Sequence, residues 1–165
     1  MVLILHFFEY NWQVRDEWLD WCRQLSIEEL VKERTGGVGS ILYTFFHIID
    51  VEYSWMRAIQ SKEDVVVDYS NYATLEKIMA LSDQFRNEVR GYLQEDLAIF
   101  IDEIISVPWD EQSYMKSEIL HHIIAHEIHH IGQLSIWARE LELKPVSANF
   151  LGRNVLSVSS DCGRK

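Results

Sequence analysis

With two prolines and seven glycines in 165 residues, little in this chain forbids helix, since those are the residues that end or weaken one. Cysteine is equally scarce. Cys22 and Cys162 stand far apart with no Cys-x-x-Cys, which excludes a cysteine-built zinc site and fits reduced thiols in a cytoplasmic protein. Basic charge is short as well: 15 Lys and Arg against 26 Asp and Glu leave a formal net charge of −11. Phosphate backbones and anionic lipid surfaces both require clustered Lys and Arg, so the balance argues against nucleic acid and membrane as partners. No stretch reaches the roughly 20 apolar residues of a membrane span. The start, Met1 to Phe8, is apolar but has no basic n-region and is broken by Glu9 and Asn11. It reads as the first turns of a core helix rather than a signal peptide.

What the chain does have is core material: 48% of its residues are hydrophobic, enough to fill one domain. Periodicity predicts a helix from about Val2 to Leu25, with Leu5, Phe8, Trp12, Leu19 and Cys22 inward and Arg15, Asp16, Asp20 and Arg23 on other faces. Ser26-Ile27-Glu28-Glu29 suits a short capped helical turn. Thr35 to Ser40 is glycine-rich but lacks the GxxxxGK[ST] of a phosphate loop. Its glycines are expected to let the loop pass close to another backbone before Ser40 opens the second long helix, Ser40 to Gln60. A third helix runs from Thr74 to about Leu93. The apolar pairs Phe100-Ile101 and Ile104-Ile105 fit either a short strand or a loop. A fourth helix begins near Gln112 or Ser113 and reaches about Leu143, before Pro145. Four long amphipathic helices with modest connections predict an all-α four-helix bundle over residues 1–150, with an irregular tail over 151–165.

The fourth helix carries five of the seven histidines between His121 and His130. Steps of four, three and four along it give Ile119, Ile123, His126, His130, Leu134, Trp137 and Leu141, a core stripe in which two large apolar positions are replaced by imidazoles. Two buried rings without partners cost a few kcal/mol, roughly. A shared metal ion satisfies both, and a structural hydrogen-bonded pair is the plainer alternative. His122 and His129 fall on an adjacent row with Ala125 and Gly132, flanking or exposed, and His121 is further round. His47 is the other histidine in the middle of a buried helix. A three-histidine set with open positions is the pattern of a catalytic rather than a structural centre. Glu127, Tyr43 and Gln133 are candidates to support it.

His126-Glu127-Ile128-His129-His130 also matches HExxH, in which the glutamate serves zinc peptidases as general base. The longer peptidase signature needs Gly where this chain has Gln133, a downstream third glutamate is missing, and the chain has little strand to offer a substrate. A peptidase is therefore the weaker reading.

Three segments together carry a resemblance. They are Gly36-Gly37-Val38-Gly39-Ser40-Ile41 leading into Phe46-His47-Ile48-Ile49-Asp50-Val51-Glu52-Tyr53-Ser54-Trp55; His126 to Leu134 with Arg139-Glu140-Leu141; and Pro145 to Arg153. In this order the chain resembles the DinB/YfiT-like superfamily of metal-binding four-helix bundles. The resemblance implies an inward-facing triad of His47, His126 and His130, a divalent metal ion (commonly Zn or Ni), and a homodimer. Relatives include bacillithiol S-transferases and mycothiol-dependent maleylpyruvate isomerase, so it also implies a small-molecule substrate and a low-molecular-weight thiol. A metal-dependent enzyme activating a thiol, or less directly water, is the expectation. A non-catalytic metal-binding stress-response protein is its alternative, because the family name records induction by DNA damage. Arg57, Arg139 and Arg153 are candidates to bind a thiol's carboxylates by residue type alone.

Overall fold

In the computed structural model, residues 2–95 and 103–156 are described. Four long helices make the bundle: α1 (Val2–Cys22), α3 (Ile41–Ala58), α4 (Leu75–Glu95) and α5 (Lys116–Glu140), with a short α2 (Ile27–Val31) after α1. The capping chemistry read from the sequence is present. Ser26 Oγ accepts from the Glu29 amide and Ser40 Oγ from the Tyr43 amide, each relieving an orphan donor of a first turn. Helices α1 and α3 each pack on α4 and α5, closing a ring around one core. That core holds Phe8, Trp12, Trp18, Phe45, Ile49, Met56, Ile78, Phe85, Ile123, Leu134 and Trp137. No described helix is long and apolar enough to cross a membrane.

The segment before α5 departs from expectation. Ile104–Ser106 (β1) pairs antiparallel with Ser113–Met115 (β2), Ile105 opposite Tyr114, and α5 starts only at Lys116. Residues 113–115 therefore extend rather than begin a helix. They pair with Ile104–Ser106 instead, and the Glu118 carboxylate caps the Met115 N–H at 2.8 Å. Phe100, Ile101 and Cys162, together with the tail beyond residue 156, lie outside the described residues. Within 146–156 the chain is tied across α1: Tyr10 donates to the Ala148 carbonyl at 2.6 Å, Phe150 packs on Phe7 and Tyr10, and Arg153 grips Glu17.

A second departure is the position of Arg15, expected on a polar face and found with none of its surface exposed. Its guanidinium forks onto Glu127 at 2.8 and 2.7 Å and onto Glu52 at 3.1 and 2.9 Å. Trp12 Nε1 donates to the same Glu52 at 3.0 Å, and Arg15 also reaches Ser82 Oγ at 3.5 Å. One cation thus joins α1, α3, α4 and α5. Bidentate pairing is the geometry that best offsets desolvation of such charges. Burial pushes the Glu127 carboxyl upward against the pull of Arg15, while two facing carboxylates outweigh burial to keep Arg15 protonated. Cys22 is buried beneath the same core, and burial pushes its thiol up to about 12, which makes it a poor nucleophile.

Candidate metal centre

Helical phase delivers the two α5 histidines as anticipated. His130 is buried and His126 half-buried, whereas His121, His122, Ala125, His129 and Gly132 are exposed. His47, half-buried on α3, faces them. Among the described residues these three form the one cluster whose ligand atoms converge, all within 4.8 Å of one another. His126 Nε2 lies 3.0 Å from His47 Nε2 and 3.1 Å from His130 Nε2.

The arrangement favours a cation over a network of hydrogen bonds. His130 Nδ1 is 2.7 Å from Gln133 Oε1, so that nitrogen carries the proton and leaves Nε2 as a lone pair. A single proton on His126 Nε2 would have to serve two contacts. A proton on His47 instead would leave the lone pairs of His126 and His130 opposed. A metal ion accepts from all three at once. Tetrahedral coordination at 2.0–2.1 Å places donor nitrogens about 3.3 Å apart, a few tenths of an ångström from the two spacings at His126. The donor set also fits: three imidazoles suit Zn, Ni, Cu or Fe rather than the oxygen-seeking Mg or Ca.

Protonation favours the same state. Burial, and then His130, holds the His47 ring below its ordinary range. Burial lowers His126 to about 3, with His130 and His47 adding to the effect. Burial also lowers His130, although its bond to Gln133 opposes the shift. All three are thus neutral in the folded chain at physiological pH, as ligands must be. Below pH 6.5, the ordinary value, the unfolded chain gains protons that the folded triad refuses, so stability falls with pH. Thermal midpoints of metal-free protein should therefore decline more steeply from pH 6.5 toward 3 than those of a His126→Ala variant. Parallel declines would contradict the neutral triad.

Gln133 is the member of the supporting set that the structure selects. Its amide lies between His130 and the exposed His129, 3.0 Å from His129 Nε2, and such outer bonds fix ring orientation. The glycine loop explains how it is held. A Cβ on Gly37 would meet the Trp137 ring at 2.6 Å and Gln133 Oε1 at 3.2 Å, while Trp137 Nε1 donates to the Thr35 carbonyl. The close approach is to these side chains, not to another backbone as expected. Tyr43 instead packs on Phe46 and Tyr69.

Glu127 does not play the peptidase role. One residue after His126 it points about 100° away around the helix, into the core, where Arg15 occupies both its oxygens. A general base must be free to take a proton, so HExxH here is a coincidence of letters. The three arginines proposed for a thiol's carboxylates are engaged elsewhere: Arg57 with the Glu63 carbonyl, Arg139 with the Ser135 carbonyl, Arg153 with Glu17. Asp50 was missed. It lies one turn after His47, half-buried, and burial followed by the charge of Asp64 raises it to about 6. Its i+3 spacing from His47 was the available signal.

Comparison with known proteins agrees with this architecture. The chain matches the DinB family over residues 1–156. It is 60% identical over 158 residues to YizA of Bacillus subtilis (strain 168), a protein described as uncharacterized, covering 95% of this chain and 99% of that one. Its fold superposes on a crystal structure of a DinB-like protein from Bacillus cereus ATCC 10987 with a TM-score of 0.71, over 87% of this chain and 94% of that chain at 20% identity. The chain belongs to the DinB family.

Proposed function

We propose that this DinB-family protein is a metal-dependent enzyme whose triad, His47, His126 and His130, holds a divalent ion such as Zn or Ni. The substrate is a small molecule attacked by a low-molecular-weight thiol or, in the hydrolytic version, by water. The observation that carries the reading is the convergence of three neutral Nε2 atoms, with His130 locked by Gln133. A divalent cation bound there lowers the pKa of a coordinated thiol or water and so supplies a nucleophile at neutral pH.

The chain's own residues contribute orientation and shelter. Gln133 fixes the His130 ring, and the loop at Gly37 with Trp137 fixes Gln133. In the transferase version the thiol sulfur forms a bond to the electrophilic carbon, the bond to the leaving group breaks, and the thiol proton departs with that group. No cysteine of the described chain competes as nucleophile, since Cys22 is buried.

A homodimer and a cytoplasmic location belong to the same proposal. The second reading, a metal-binding protein without turnover, draws support from the engagement of Arg57, Arg139 and Arg153 with partners of their own. A screen of low-molecular-weight thiols against alkyl and aryl electrophiles separates the two. The proposal expects product formation that chelation abolishes and added Zn or Ni restores. Stoichiometric metal with no turnover across the screen, hydrolysis included, would leave the non-catalytic reading standing instead.

A further inference from the structure

The hairpin, of which the sequence offered only Ile104-Ile105 as strand or loop, builds a cleft beside the triad. The cleft has a volume of about 360 Å³ and is lined by Trp55, Asp110, Tyr114, Glu118, Ile119 and His122. Trp55 stands at its centre, with Tyr114, Trp109 and His122 edge-on to it at 5.5–6.0 Å between ring centroids. His122 in turn lies against His126, with centroids 5.7 Å apart. One ring, His122, therefore stands between the cleft and His126.

Its charge is of one sign. Asp110 accepts from the Gln112 amide at 2.9 Å and the Tyr114 hydroxyl at 2.7 Å, and these bonds hold its carboxyl below the usual range. Glu118 spends one oxygen on the Met115 amide. Both carboxylates keep further lone pairs for a ligand. Among the described residues, no Lys or Arg lines the cleft. The nearest basic residue along α5, Lys116, is turned to the ring of Tyr92 and to Glu103. Aromatic faces beside carboxylates are the combination that recognises organic cations.

We propose that this cleft binds an ammonium group, primary or quaternary, carried on an apolar body, and that it selects the cationic end of the substrate used at the triad. The role as a substrate subsite rests on the enzymatic reading above; the binding preference does not. Trp55 and Tyr114 offer aromatic, apolar area, while Asp110 and Glu118 supply the counter-charge. Anionic compounds of the same shape meet two carboxylates and a chain of net charge −11, and are rejected.

The test is calorimetric titration of the full chain, metal-free and zinc-loaded, with benzyltrimethylammonium, benzylamine and benzoate. Both cations should bind in both metal states, and benzoate in neither. Paired Asp110→Asn and Glu118→Gln substitutions should weaken cation binding about tenfold, and Trp55→Leu should weaken it by roughly fivefold or more. These residues lie on the surface or half-buried, so thermal midpoints should stay close to the parent. Benzoate binding as tightly as benzyltrimethylammonium, cation binding unaltered by the paired substitutions, or no cation binding at all would each overturn the proposal. A protein that binds the cations but takes up no zinc would keep the cleft and discard the metal-dependent reading.

Discussion

Replacing Arg15 with methionine should remove about 3–5 kcal/mol of stability, because it strands Glu52 and Glu127 in the core without a counter-charge. Neither carboxylate exposes more than 2% of its surface, so water cannot take the place of the guanidinium. A domain of this size has only about 5–15 kcal/mol in hand, and the variant should unfold at much lower urea than the parent. The control separates charge from volume. Arg15→Met combined with Glu52→Leu and Glu127→Leu removes all three charges, and stability should return to within about 2 kcal/mol of the parent, since apolar replacements of a whole buried set are often neutral. Urea titration of metal-free protein reads both results. A loss under about 1 kcal/mol for the single change would mean that the cluster is hydrated or protonated rather than a buried ion network.

The second large effect is on metal affinity. His126 is the ligand shared by both short contacts, 3.0 Å to His47 and 3.1 Å to His130. Removing it leaves two donors, too few for a tight site. His126→Ala should reduce affinity for Zn or Ni by roughly a thousandfold or more, with His47→Ala and His130→Ala close behind. Gln133→Leu keeps every ligand but frees the His130 ring, and should cost about 10–100-fold. His121→Ala and His129→Ala should change little, because both side chains are exposed and outside the cluster. Competition against a chromophoric chelator measures the whole series. Equal losses at His129 and His126 would show that the ligand assignment is wrong.

Most of the bundle was legible because its helices are long, periodic and capped by residues with a mechanism, Ser26 and Ser40 among them. The α5 pair was legible for the same reason. His126 and His130 interrupt an otherwise apolar stripe, and a stripe position is a statement about burial. The charged core was not read, since Arg15, Glu52 and Glu127 are residue types normally assigned to water. A trace was nonetheless present: Arg15 lies three residues from both Trp12 and Trp18, and Glu127 four from both Ile123 and Ile131. Each charge therefore shares a face with core residues. The hairpin at 104–106 and 113–115 was harder. Three-residue strands hold too few positions for alternation to register, and their pairing is settled by contacts across the turn. That omission hid the cleft, because Tyr114 and Asp110 acquire meaning only once the hairpin places them against Trp55 and His122.

The central claim is that His47, His126 and His130 form one metal centre, and metal content tests it most directly. Purified protein is stripped with chelator, dialysed against Zn or Ni, and analysed beside the His126→Ala variant. A triad centre predicts close to one ion per chain for the parent, essentially none for the variant, and a thermal midpoint that rises on loading only in the parent. A parent chain that stays metal-free with an unchanged midpoint, or a variant that retains a full equivalent, would contradict it.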